Sequence, residues 1–108
     1  MHFALLCWDS GVWDRLSPSE QSDAKEAFGT WVRELKEQGV FVSGWPVNEA
    51  SLVLDGSSVF DLKSFFWGDG LGALFVIECP TLEDAVEYAQ GCPTLALKGR
   101  VEVRPLTH

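Results

Sequence analysis

Two carboxylates frame the segment of this chain best suited to chemistry. Asp61 and Asp69 lie on either side of Phe65-Phe66-Trp67. Brought to one cavity, two such groups can be driven apart in pKa by burial and mutual repulsion, leaving one as acid and the other as base. Turn formation is the competing account, because Asp at a strand end or between glycines commonly closes a turn. Three consecutive aromatics cannot all face one core in an extended segment. At least one of them meets a ligand, a partner or water, so Phe66 and Trp67 are candidate ligand contacts. The run is either a flap over a ligand or a dimer contact. Trp8 and Trp45 stand at the ends of apolar runs and can wall the same cavity. Such walls suit a flat apolar or aromatic molecule; core packing is the alternative use for both rings. Arg104 offers a guanidinium either to a bound carboxylate or to an ion pair at the surface or between subunits.

Other chemistries find less support. Gly68-Asp69-Gly70-Leu71-Gly72 leads into a strand, whereas a phosphate-cradling loop opens a helix. Ligand spacing for a metal is lacking, as is a Gly-x-Ser-x-Gly turn or a Cys with a placed His. The expectation is therefore no metal and no cofactor. His2 and His108 are the only histidines, and His2 reads as a strand-end residue rather than a base.

The elements that must position these groups are legible. Residues 2–8 are apolar and form a first strand. Ser17 caps a helix with Pro18 in its first turn and Glu20 completing a capping box. Ala24, Ala27, Phe28, Trp31, Val32 and Leu35 then follow at helical spacing, and Gly39 ends the helix. A second strand runs from Val40 to Trp45 and stops at Pro46. Residues 51–62 read as a hairpin about Gly56-Ser57-Ser58, and residues 63–72 as irregular. Ala73 to Cys79 is the strongest strand. Thr81 caps a second helix whose Leu82, Ala85, Val86 and Ala89 face inward. Gly91-Cys92-Pro93 is a turn, and Arg100 to Arg104 is the last strand.

This order predicts an α+β domain spanning residues 1–108, a ferredoxin-like antiparallel sheet with both helices on one face. Ala73, Phe75, Ile77 and Cys79 point one way and Leu74 and Val76 the other, so the central strand is apolar on both faces. Such a strand is covered on both faces. Helices cover one side; the sheet of a second subunit is the simplest cover for the other. The expectation is an isologous homodimer, a dimeric α+β barrel.

Composition narrows the partners. The 108 residues suffice for one core, with 46% apolar and 22% charged residues. Eight basic residues against sixteen acidic ones give a net charge of −8. That balance argues against nucleic acid, whose binding rests on Lys and Arg neutralising phosphates, and against anionic membranes. No run approaches the roughly 18 apolar residues of a membrane span. Three Cys without framework spacing read as buried thiols of a cytoplasmic protein.

Several short motifs recur together in one family. A strand ends at Trp8, a helix capped by Ser17-Pro18 ends in Gly39-Val40, and a second helix opens with Glu83-Asp84-Ala85. Cys92-Pro93 follows, and Val101-Glu102-Val103-Arg104-Pro105 closes the chain. The chain thereby resembles the YCII-related (DGPF) proteins over most of its length. The resemblance implies a dimeric α+β barrel. Related barrels include lactone isomerases and a dehalogenase-like member acting on aromatic-derived substrates, and other relatives occur beside sigma-factor-like regulators. The family's Asp-Gly-Pro-Phe signature is matched by Asp61-Leu62-Lys63-Ser64, which keeps only the Asp. Another branch pairs an Asp with a His on the first helix; this first helix has none, so His-dependent chemistry does not carry over. Two functions follow. One is acid-base chemistry by Asp61, with Asp69, on an apolar ligand held by Trp8, Trp45 and Trp67. The alternative is a non-catalytic binding or accessory homodimeric module, with a vestigial cleft as its limiting form.

Overall fold

A computed structural model of the chain describes residues 1–47, 52–61 and 70–107. Strand β1 (His2–Asp9) leads through one 3-10 turn (Val12–Arg15) into helix α1 (Pro18–Glu37). Strand β2 (Phe41–Pro46), the hairpin β3 (Leu52–Asp55) and β4 (Ser58–Asp61), and strand β5 (Gly70–Glu78) follow. Helix α2 (Leu82–Ala89), a short helix α3 (Pro93–Ala96) and strand β6 (Arg100–Pro105) complete the chain. The four main strands form one antiparallel sheet in the order β2-β5-β1-β6, while β3 and β4 pair only with each other. Leaving the hairpin aside, this is the ferredoxin-like order expected from the sequence.

Local chemistry sets the helix ends. Ser17 Oγ accepts from the Glu20 N–H at 3.1 Å, and Glu20 Oε1 accepts from the Ser17 N–H at 3.0 Å, a complete capping box. Gly39 follows α1 at φ +74°, a left-handed position that costs glycine little. Thr81 caps α2 through its hydroxyl, which accepts from the Asp84 N–H at 3.1 Å.

The core lies between the helices and one sheet face. Phe3, Leu5 and Cys7 of β1 and Ala73, Phe75 and Ile77 of β5 fill it, with Trp31 and Leu35 of α1 and Ala85 and Ala89 of α2 packed above. Phe75 is its hub. Trp31 meets that ring edge-on with centroids 5.0 Å apart, and Phe28 stacks on it at 6.5 Å. Gly44 makes room for the ring: a Cβ there would lie 2.3 Å from Phe75 Cδ1.

Four expectations need correction. Leu82 and Val86 are exposed, not inward, because only the single edge strand β6 lies beneath that side of α2 and its Val101 and Val103 cover them in part. Ala27 is exposed, on the margin of the apolar stripe of α1. Gly70, Leu71 and Gly72 belong to β5 rather than to an irregular segment, since β1 extends to Asp9 and pairs with Gly70. Residues 93–96 form α3, where a turn alone was expected: Pro93 at the first position fixes a helical φ, and Thr94 and Pro93 carbonyls accept from the Leu97 N–H.

Candidate functional site

The sheet face turned away from the helices gathers most of the describable candidates. Across the sheet, Trp45 on β2 pairs with Leu74 on β5, Leu74 with Leu6 on β1, and Leu6 with Glu102 on β6. Trp8 lies two residues beyond Leu6, on the same face, and pairs with Arg100. Trp8 and Trp45 therefore share one face and one end of the sheet, with Leu6 and Leu74 between them and Val76 further along the same face. Trp45 is 60% exposed, and Leu6, Trp8, Leu74 and Val76 are half-buried. Among the described residues no element covers this face.

Trp8 is held in place from several sides. Gly99 lets the neighbouring backbone approach, because a Cβ there would stand 2.5 Å from the Trp8 carbonyl oxygen. Just beyond, Ser10 Oγ donates to the Leu97 carbonyl at 2.8 Å and Asp9 Oδ1 accepts from the Gly11 N–H at 2.9 Å. The indole Nε1 donates to Glu102 Oε1 at 3.2 Å. Arg104 Nε donates to the other oxygen of the same carboxylate. Glu102 is thus a hinge between ring and guanidinium. Arg104, then the indole, hold its carboxyl below the usual carboxylate range. Neither this role of Glu102 nor the position of Leu6 was read from the sequence; the alternation of Arg100, Glu102 and Arg104 on one face of β6 was the available signal. Arg104 forms a surface ion pair within its own strand, one of the fates expected for it, so any bound anion has to compete with Glu102.

At the opposite end of the face, His2 Nε2 lies 3.2 Å from Glu78 Oε2, its cross-strand partner. That pairing fits the strand-end reading of His2. Asp61 closes β4 opposite Leu52, but its side chain lies outside the described residues, as do Asp69, Phe66 and Trp67 altogether. The connection bearing them leaves the sheet after Pro46 and returns at Gly70, at the end that carries Trp8 and Trp45.

Two grooves open on the helix side, away from every candidate above. One, of about 420 Å³, runs between α1, with Asp23, Glu26 and Glu34, and the turn at Gly91 and Pro93. The other, of about 330 Å³, is apolar and lined by Leu82, Val86, Leu95, Val101 and Val103. The core beneath holds a feature the sequence did not suggest. Cys7 Sγ and Cys92 Sγ lie 3.8 Å apart, with Thr94 Oγ1 3.4 Å from Cys92. The shared S–H pulls the two thiols in opposite directions. Cys7 is raised, by its bond to Cys92 and then by burial; Cys92 is lowered, by its bond to Cys7 and then by Thr94, against burial. Among the described residues no group of three or more His, Cys, Asp or Glu is placed to hold a metal ion, and no helix is long and apolar enough to cross a membrane.

No family model and no curated protein matches the chain. Among solved structures it is similar to 5-chloro-2-hydroxyhydroquinone dehydrochlorinase (TftG) from Burkholderia phenoliruptrix AC1100, in complex with 2,5-dihydroxybenzoquinone. The two share 16% identity and superpose with a TM-score of 0.64 over 100% of this chain and 95% of that one. At this identity the likeness establishes the α+β fold, consistent with the fold that the YCII-related resemblance implied.

Proposed function

We propose that this is a YCII-like protein that pairs its open sheet face with that of a second copy and binds a small, flat aromatic molecule in the cleft so formed. The single observation carrying this reading is the face itself. It combines an apolar centre, two tryptophans at one end, and an Arg104–Glu102 pair beside one of them. An apolar face with aromatic anchors needs cover from a partner or ligand, and indole walls suit a planar ring. The fold neighbour's bound 2,5-dihydroxybenzoquinone, a planar ring derived from an aromatic one, supports a flat cyclic ligand of this kind. In this reading Phe66 and Trp67 close the cleft from the connecting segment. Asp61, with Asp69, supplies the acid and the base, and Arg104 meets an acidic hydroxyl of the ligand.

The probe is 2,5-dihydroxybenzoquinone, titrated while tryptophan emission is followed. Saturable quenching is expected, weakened at least tenfold by Trp8→Ala and by Trp45→Ala. Quenching that is linear in probe and unchanged in both variants would remove the cleft from consideration. Where turnover of an aromatic substrate is found, Asp61→Asn is expected to lower it by at least a hundredfold. Full turnover in that variant would remove Asp61 from the mechanism, and saturable binding with no turnover of any aromatic substrate leaves the binding module as the correct reading.

A further inference from the structure

The core contains a dithiol that the sheet-face reading does not use. Cys7 belongs to the central strand β1 and Cys92 to the turn between α2 and α3, 85 positions apart in the sequence. Each is only 2% exposed, and their sulfurs are in van der Waals contact at 3.8 Å. The third cysteine is elsewhere. Cys79 follows β5 at the Met1 end of the sheet, with its N–H bonded to the Met1 carbonyl. Cys7 lies six residue steps along the strand from that end, about 20 Å at the usual rise. Only one pair in the molecule can therefore meet.

We infer that Cys7 and Cys92 are an oxidative modification site, a dithiol that closes to an internal disulfide when the protein meets a peroxide.

The surroundings suit each half of that reaction. Gly91 and Pro93, the neighbours of Cys92, line the groove beside α1 while Cys92 itself is buried, so a small peroxide reaches this sulfur by displacement of the turn before α3. The Thr94 hydroxyl and the Cys7 thiol both lie within reach of Cys92 Sγ and stabilise a thiolate there. That thiolate attacks one peroxide oxygen. The O–O bond breaks, Cys92 becomes a sulfenic acid, and the other oxygen leaves as water, or as an alcohol from an organic peroxide. Cys7 Sγ then attacks the sulfenic sulfur, the S–O bond breaks, and the Cys7 proton leaves with the hydroxyl as water. Two thiols lose two electrons and two protons in total; the peroxide gains them. The sulfurs must close from 3.8 Å to about 2.05 Å. β1 is fixed by neighbours on both sides, so the movement falls on Cys92 and the short helix α3 after it.

The test exposes the native protein to hydrogen peroxide, quenches with catalase, and alkylates in denaturant before peptide mass mapping. One cross-linked peptide pair holding Cys7 and Cys92 is expected, with Cys79 alkylated and the link undone by dithiothreitol. Cys79→Ser should give the same link and Cys92→Ser none. Recovery of Cys7 and Cys92 as alkylated thiols after exposure overturns the inference. So does a link through Cys79, or Cys92 ending as a sulfinic acid while Cys7 stays reduced. None of these readouts depends on dimerisation or on ligand binding, so the sheet-face reading stands or falls separately.

Discussion

At the residue scale, Glu102 organises the describable part of the candidate site. It takes the Trp8 indole on one oxygen and the Arg104 guanidinium on the other. Its folded-state pKa lies below the ordinary value of 4.5. The contribution of these bonds is therefore fully present above 4.5 and is lost as pH falls through the lower, folded value. Both partners are solvent-accessible, so the stability at stake is small, and the ring is the better reporter. Tryptophan emission should show an acid transition with a midpoint below 4.5 that is absent from Trp8→Phe and Glu102→Gln. A transition that persists in Trp8→Phe would assign it to another indole. The dithiol gives a second prediction at this scale. Because the Cys7 thiol, and after it the Thr94 hydroxyl, lower Cys92, the pH profile of peroxide cross-linking should have its midpoint below the ordinary thiol value of 9.0, and Thr94→Val should move it upward. Stopped-time alkylation across pH measures both. Trp8 and Arg104 could be singled out from the sequence because indole and guanidinium have few ordinary uses at strand ends. Glu102 and the Cys7–Cys92 contact could not. Each joins positions far apart in the chain, and nothing local in the sequence encodes a register between β1 and the chain's last elements.

At the element scale, local chemistry was the legible part. Ser17, Pro18 and Glu20 announce the start of α1 because a capping box is built within four residues, and the structure forms both of its bonds. Ser17→Ala should cost about 1 kcal/mol, measurable as a lower midpoint in urea at unchanged slope. The strict alternation of Ala73, Phe75 and Ile77 likewise fixed the buried face of β5. What could not be read is how elements meet. Gly44 looks like an ordinary weak point in β2, yet it is the floor under the Phe75 ring, which Trp31 and Phe28 hold from the other side. The ring cannot yield, so Gly44→Ala should cost about 1–3 kcal/mol, as overpacking does. A neutral Gly44→Ala in thermal unfolding would mean that β2 shifts instead. Leu82 and Val86 make the complementary point. Helical spacing put them on the apolar face of α2, but spacing does not say how wide the sheet beneath is.

At the scale of the whole molecule, the protein is a slab. Its extents are 42 × 41 × 18 Å, and the short axis accommodates one sheet and one helix layer. The radius of gyration of 15.0 Å exceeds the roughly 13 Å of a compact chain of this length. Part of the excess is the β3–β4 hairpin, where Leu52 and Leu54 are 76% and 70% exposed. Under the proposed function, a second copy placed face to face supplies the layer that the bare apolar face lacks. Charge opposes this. Two chains at −8 each repel, while on the sheet face itself Arg104 is paired with Glu102. The attraction is thus apolar and short-ranged, and the repulsion is long-ranged and screened by salt. Sedimentation should therefore find a dimer of the 11.9 kDa chain that tightens as salt rises from 20 to about 300 mM, a range over which the Debye length falls several-fold. Leu74→Glu, which sets a carboxylate from each copy at the centre of the face, should give a monomer with unchanged helix content. Dimers that loosen with salt would place ion pairs rather than leucines at the interface, and a Leu74→Glu dimer would move the interface off this face.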